Sequence, residues 1–275
     1  YGHRAAISAN GFLMQGIICT GGRTQDQISG SGRIVGNVWT NASGPAASNA
    51  SNFGTCNYLN IFTPNTTSYT TPACDISVEG NVFNAPSNYA IVLNPGTSSN
   101  MANAVKITGN TFIETTASYA SKTTWQPDGT AGASLRGACI IAATWQAEAN
   151  IPVPVMSDNV FILPTGEDKV FIWTRQAGAG GSPGSGVYQA GPAVVGSSFF
   201  NGYAYTVTDT LPAGSVAQLN QAKYDSLTAA GLSSNYVPAA TSGLAGAGVH
   251  AGYRVGGNNR MMKNPPSIGA NEVTS

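Results

Sequence analysis

One short pattern recurs along this chain, and it narrows the fold more than any other feature. Residues Ala104 to Phe112 read AVKITGNTF. Val105 and Ile107 alternate with Lys106 and Thr108, a Gly-Asn corner follows, and an aromatic stands two places beyond the Asn. Such alternation gives a strand one apolar and one polar face. The pattern returns as RAAISANGF around Asn10, RIVGNVW around Asn37, ISVEGNVF around Asn81, PVMSDNVF around Asn159 and, more loosely, AVVGSSFF around Ser197. Three places before the corner stand Ile7, Ile34, Val78, Ile107, Met156 and Val194; two places after it stand Phe12, Trp39, Phe83, Phe112, Phe161 and Phe199. One strand cannot bury its apolar face alone, but stacked copies build a continuous core. The expected fold is therefore all-β, a solenoid of six recognisable rungs. The rungs would lie ~4.8 Å apart, as in any sheet. Asn10, Asn37, Asn81, Asn110 and Asn159 would then form a ladder of side-chain amides along the corner. The plainer alternative is that GN is a common turn dipeptide in an Asn- and Gly-rich chain; the flanking columns argue against it.

Each unit holds a first strand, a corner and a second strand, as in ISVEGNVF, NAPS and YAIVL from Ile76 to Leu93. Corner-to-corner spacing is 27, 44, 29, 49 and then 38 residues. A bare solenoid repeat takes about 20–30 residues, so the excess must leave as loops, where rigid scaffolds commonly carry function. The solenoid is expected over residues 1–208 and a C-terminal cap over 209–275. Within the cap, Ser215 to Gly231 reads as a helix, with Ser215 to open it and Gly231 to end it. That helix would cover the open end of the solenoid.

Charge is sparse. Twelve basic and twelve acidic residues make 9% of 275, and the formal net charge is zero. Nothing points to nucleic acid or an anionic membrane, and no apolar run reaches the length of a transmembrane span. Tyr1 starts almost directly in a rung, which reads as a chain beginning after a removed N-terminal part, or as a fragment. Cys19 and Cys139 lie in apolar strands and read as buried thiols. Cys56 and Cys74 flank a polar loop, where a disulfide and two free thiols are both open readings.

The rungs resemble those of the right-handed parallel β-helix superfamily of pectate-lyase-like proteins. The tail adds to the likeness: TSGLAGAGV from Thr241 and PPSIGANE from Pro265 are similar to the SPLIGAG and closing PxIGAxE segments of many such proteins. That group includes secreted polysaccharide-degrading proteins and bacteriophage spike or fibre proteins. The resemblance implies an extracellular or virion-surface protein, with a homotrimer, other virion proteins and cell-surface polysaccharide as partners. Fold likeness alone does not settle chemistry.

Polysaccharide lyases of the superfamily use a basic residue on the outer face of the first-strand sheet, often with calcium held by carboxylates. Here Arg33, Glu79 and Lys106 would share that face, with Lys106 as candidate base and Glu79 as candidate calcium ligand. The competing reading is a Glu79–Lys106 surface ion pair, which contributes little. It is preferred because calcium wants six or more oxygens. A hydrolase would need two facing carboxyl groups. The candidates are Glu114, Asp128, Glu148, Asp158, Glu167 and Asp168; Asp158 is explained by the turn it occupies, Glu167 and Asp168 sit in a TGED turn, and Glu114 and Asp128 lie at opposite ends of one loop where they could meet. His3 and His250 sit near the chain ends, in no triad spacing. Tyr69, Tyr119, Trp125 and Trp145 lie in or beside the long connections. They suit stacking on a neutral glycan, or equally pinning loops and subunits together. Two functions thus stand at this stage. One is a non-catalytic structural or glycan-binding component of a phage particle, without a cofactor. The other is a polysaccharide lyase or hydrolase, with calcium if a lyase.

Overall fold

The computed structural model describes residues 6–20, 26–40, 58–62, 75–86, 89–94, 105–116, 118, 139–144, 155–166, 169–175, 203–206, 218–249 and 266–273. Their regular structure is almost wholly strand, and the strands run parallel in three stacks. The second stack is a sheet of six short strands: β2 (Ile18–Thr20), β4 (Val38–Thr40), β7 (Val82–Asn84), β10 (Thr111–Ile113), β13 (Val160–Ile162) and β17 (Ala222–Tyr224). The first stack holds β6 (Asp75–Glu79), β9 (Val105–Thr108), β12 (Val155–Ser157) and β16 (Gln218–Leu219). The third holds β5 (Leu59–Phe62), β8 (Ile91–Asn94), β11 (Ile140–Thr144) and β14 (Lys169–Arg175), with β15 (Tyr203–Thr206) added antiparallel at its edge. The ten-residue β3 (Asp26–Val35) pairs with β5 through its first half and with β6 through its second. It therefore joins the first and third stacks into one sheet of eleven strands, with β1 (Ala6–Gln15) pairing on β3. The chain visits first, second and third stack in turn, and then repeats.

The strands are short because each ends in a corner. Gly36, Gly80 and Gly109 take φ of 64°, 62° and 62° there. In the same column Asp158 and Asn220 take φ of 53° and 51°. Asp and Asn are the side chains that tolerate this left-handed conformation best after glycine. Backbone pairing does not lapse at the turn: the Gly80 N–H donates to the Thr108 carbonyl at 3.3 Å and the Thr111 N–H to the Asn81 carbonyl at 2.9 Å.

Inside the stacks the columns read from the sequence become a core. Ile34, Val78, Ile107 and Met156 are fully buried against Leu59, Ile61, Ile91, Leu93 and Ile140 of the third stack. Trp39, Phe83, Phe112 and Phe161 form one pile of rings, with centroids 4.9, 5.0 and 5.0 Å apart and planes within 13° of parallel. Aromatic pairs of this kind add about 0.5–1.5 kcal/mol each beyond the area they bury.

Three expectations are corrected. Asn10 is no corner residue. It lies within β1 opposite Ser31, and the corner of the first turn is Gln15–Gly16–Ile17, with Met14 beside Ile34. The rung after Asn159 is not the one at Ser197, which lies outside the described residues; it is β16–β17, with Gln221 in the corner column. The helix expected over 215–231 is replaced, in its described part, by those two strands and by turns. Strand pairing with β12 and β13 outweighs a helix propensity that amounts to tenths of a kcal/mol per residue.

The described residues of the C-terminal segment, 225–249 and 266–273, lie along the outside of the second stack. Val82, Ile113, Val160 and Ile162 point outward there and are buried beneath Ala230, Leu232, Leu244, Ile268 and Ala270. The segment is pinned to successive turns. The Asn84 amide bonds the Tyr236 hydroxyl at 3.2 Å, the Ala270 N–H donates to Thr111 Oγ1 at 3.0 Å, and the Gly269 N–H donates to the Asp158 carbonyl at 2.8 Å.

Candidate functional site

Among the described residues, the corner and the outer face beside it carry buried asparagines and the charged side chains of Arg33, Glu79 and Lys106. Each ladder Asn repeats one set of bonds. The Asn81 N–H and Nδ2 both donate to Asn110 Oδ1, at 2.9 and 3.0 Å, while Nδ2 also donates to the Ile34 carbonyl at 2.8 Å. Asn110 repeats this toward Asn159 Oδ1 and the Val78 carbonyl, and Asn37 toward Asn81 Oδ1 and the Met14 carbonyl. The ladder ends where Asn159 Nδ2 donates to Gln221 Oε1 at 3.0 Å. It begins where the Ile17 N–H donates to Asn37 Oδ1 at 2.8 Å. The four asparagines are fully buried, so each bond matters more than it would in water. This is a structural spine: its donors and acceptors are spent on one another.

The outer face of the first stack carries the expected columns in register. Arg33, Ser77, Lys106 and Val155 form one; Val35, Glu79, Thr108 and Ser157 form the other. Within them the pairing differs from expectation. Glu79 Oε2 meets the Arg33 guanidinium at 2.9 Å, one turn back, and not Lys106 one turn on. Register alone allowed both; the longer, forked Arg reaches diagonally across the strand pair to the carboxylate. Lys106 is exposed on β9. Val35, Thr108 and Ser157 are buried despite facing outward, and the Ser157 hydroxyl bonds Thr108 Oγ1 at 3.4 Å.

Of the carboxylates, Glu114 is buried and accepts a 2.6 Å bond from the Ser118 hydroxyl. Asp158 is fully buried at its corner. Its Oδ1 accepts from Asn220 Nδ2 at 2.9 Å and from the Val249 N–H at 3.0 Å. It is one of the points at which the tail is fastened to the stacks, a role missed in the sequence. The signal was present, because Asp158 is the one acid in a column otherwise made of Gly and Asn. Glu272 does the same work inside the tail, accepting from the Ser267 N–H and hydroxyl at 3.1 and 2.5 Å. Tyr69, Tyr119, Trp125, Trp145, Asp128, Glu148, Glu167, Asp168, both histidines and Cys56 and Cys74 lie outside the described residues, as does the side chain of Cys19. Cys139 is buried in the core. Among the described residues no three His, Cys, Asp or Glu side chains group as metal ligands, and no helix is long and apolar enough to cross a membrane.

What this arrangement can do chemically is limited. Arg33 and Lys106 present two cations on one outer column, and the carboxylate between them is already engaged by an arginine. Comparison with family models, with curated proteins and with solved structures finds no match to this chain.

Proposed function

We propose that this chain is a right-handed parallel β-helix of the pectate-lyase-like kind, serving as a non-catalytic structural component. Its place would be the outside of a bacteriophage particle, as a spike, fibre or capsid decoration. One observation carries the reading: the polar groups of the corner are consumed in a spine that runs unbroken from Ile17 to Gln221. A rod locked in this way suits a mechanical support whose long connections meet the outside world. The aromatic residues of those connections, Tyr69, Tyr119, Trp125 and Trp145, supply flat faces for sugar rings, and the low charge suits a neutral glycan. The Arg33–Glu79 pair supports a non-catalytic outer face, since calcium at Glu79 would have to displace a guanidinium.

The test is binding of the full chain to an array of bacterial surface glycans, with uronate polymers assayed in parallel for the ultraviolet absorbance of an unsaturated product. The expected result is glycan retention that Trp125→Ala and Trp145→Ala weaken at least tenfold, without product. Product formation that disappears in Lys106→Ala would overturn the reading in favour of a lyase. Absence of any glycan retention would remove the sugar-binding part of it.

A further inference from the structure

Residues 266–273 sit on the outside of the second stack as a bound peptide would. The segment first closes on itself. The Ser267 N–H and hydroxyl donate to the Glu272 carboxylate at 3.1 and 2.5 Å, and the Val273 N–H donates to the same carboxylate at 3.0 Å. The hook so formed fits a groove. Ile268 and Ala270 pack among Val160, Ala230, Leu232 and Leu244. The N–H groups of Ile268, Gly269 and Ala270 donate to the Leu244 carbonyl, the Asp158 carbonyl and Thr111 Oγ1, at 2.9, 2.8 and 3.0 Å. Asn271 Nδ2 donates to the Asn235 and Tyr236 carbonyls at 3.1 and 3.2 Å. Gly269 makes the closest pass. It takes φ of 106°, and a Cβ there would stand 3.1 Å from both Thr111 Oγ1 and Val160 Cγ2. The groove thus reads a sequence, an aliphatic residue followed by a glycine and then an asparagine.

The connection to this hook is longer than its seat requires. The Gly248 N–H donates to the Pro266 carbonyl at 2.7 Å, so the chain leaves and returns at one point. Segments that touch in this way can be joined by about 2–5 residues; residues 250–265 supply sixteen. Sixteen residues can span about 53 Å, enough to reach the same groove on an adjacent copy, and loop-closure entropy penalises such length only weakly. The seat is also imperfect, because Asn271 Oδ1 is buried without a hydrogen-bond partner. We propose that the groove is a docking site for the hook of a second copy of the chain, entering by the same bonds that seat the hook in its own chain. Exchange of an identical element sacrifices no contact and joins two copies.

This inference does not depend on the proposed function. Its test mixes two full-length variants. Gly269→Val keeps the groove but has a hook that cannot seat; Gly248→Val keeps the hook but has a groove blocked where Pro266 must lie. Circular dichroism verifies that both stay folded. The expected result on mixing is a mass by light scattering above that of either variant alone at equal total concentration, with a hydrophobic-dye signal below the mean of the two. An unchanged mass overturns the inference. A larger mass without the fall in dye signal reports adhesion of bare apolar surface and overturns it as well. If either variant fails to fold, a labelled peptide of residues 265–275 is incubated with the wild type. Retention that is lost when the peptide carries Gly269→Val supports the exchange; no retention, or retention indifferent to that change, overturns it.

Discussion

Asn110 shows how much a single side chain can hold here. Its Nδ2 satisfies the carbonyl of Val78 and the oxygen of Asn159, and its own oxygen accepts two bonds from Asn81. In Asn110→Ala the N–H of Asn81 and the carbonyl of Val78 would be left unpaired in a water-free interior. Each such group costs about 1–3 kcal/mol, so the substitution should cost roughly 3–5 kcal/mol, at the upper end for point changes. Gln221→Ala removes the last, half-buried member and should cost about 1 kcal/mol. Urea titrations of both variants measure the difference. Similar losses at the two positions would mean that the asparagines are mere turn formers.

Tyr89 gives a second handle at this scale. Its phenol is buried, and desolvation of the phenolate pushes its pKa well above the ordinary value near 10. Because the folded form holds the proton more tightly than the unfolded form, this ring's contribution is complete below about pH 10 and is lost as the pH rises further. Stability should then fall by up to ~1.4 kcal/mol per pH unit from this group. Urea midpoints from about pH 9 to about pH 11 should decline less steeply in Tyr89→Phe than in the wild type. Parallel declines would assign the alkaline loss to other groups.

Among elements, what could be read from the sequence depended on whether a signal was local. The turns at Asn37, Asn81, Asn110 and Asn159 were legible because one period-two strand, one left-handed glycine or aspartate and one ring recur in each. The last turn was not, because its columns hold Gln218, Gln221 and Lys223, chosen for the edge of a core and not its middle. The same substitutions made Ser215 to Gly231 look like a helix, since Gln, Lys and Ala are good helix formers. Asn10 misled for the opposite reason: NGF matches the local pattern, but there it makes only a bulge at Gly11 within β1, and the turn was carried by the less regular MQGII. The outer face was legible in register but not in pairing, since which cation Glu79 meets depends on side-chain reach. The place of the tail was not legible at all, because the outward apolar residues Val82, Ile113 and Val160 that it covers look in sequence like part of a buried strand. Its glycines now have a reason. The Gly248 N–H donates to the Pro266 carbonyl at 2.7 Å, and a Cβ at Gly248 would stand 2.7 Å from that oxygen and 2.9 Å from the proline ring. Gly248→Val should therefore part the two tail segments. Exposure of even two of the apolar side chains beneath would cost about 3–6 kcal/mol. The expected readout is increased binding of a hydrophobic dye together with faster proteolysis near Val249. An unchanged dye signal would show that the tail tolerates the separation and does not act as a single strap.

For the whole molecule, stability should vary along the stacks, because each turn touches only its neighbours and each interface adds its own increment. The tail makes this gradient lopsided. It is bonded at Asn84, Thr111, Asp158 and Asn220, so it braces the turns from β7 to β17. Among the described residues β2 adds none to this contact, and β4 contributes only the half-buried Val38. The ring pile likewise runs from Trp39 to Phe161 and is thickest at Phe83 and Phe112, each stacked on both sides. Hydrogen exchange on the dilute wild type should therefore show its slowest amides in β7, β10 and β13, intermediate rates in β17, and the fastest strand exchange in β2. Removal of the last ten residues should speed exchange in β10 and β13 while leaving β2 unchanged, since Gly269 and Ala270 bond only the former pair of turns. A uniform acceleration would mean that the stacks open as one unit, and that the tail contributes to a single global transition and not to a local brace.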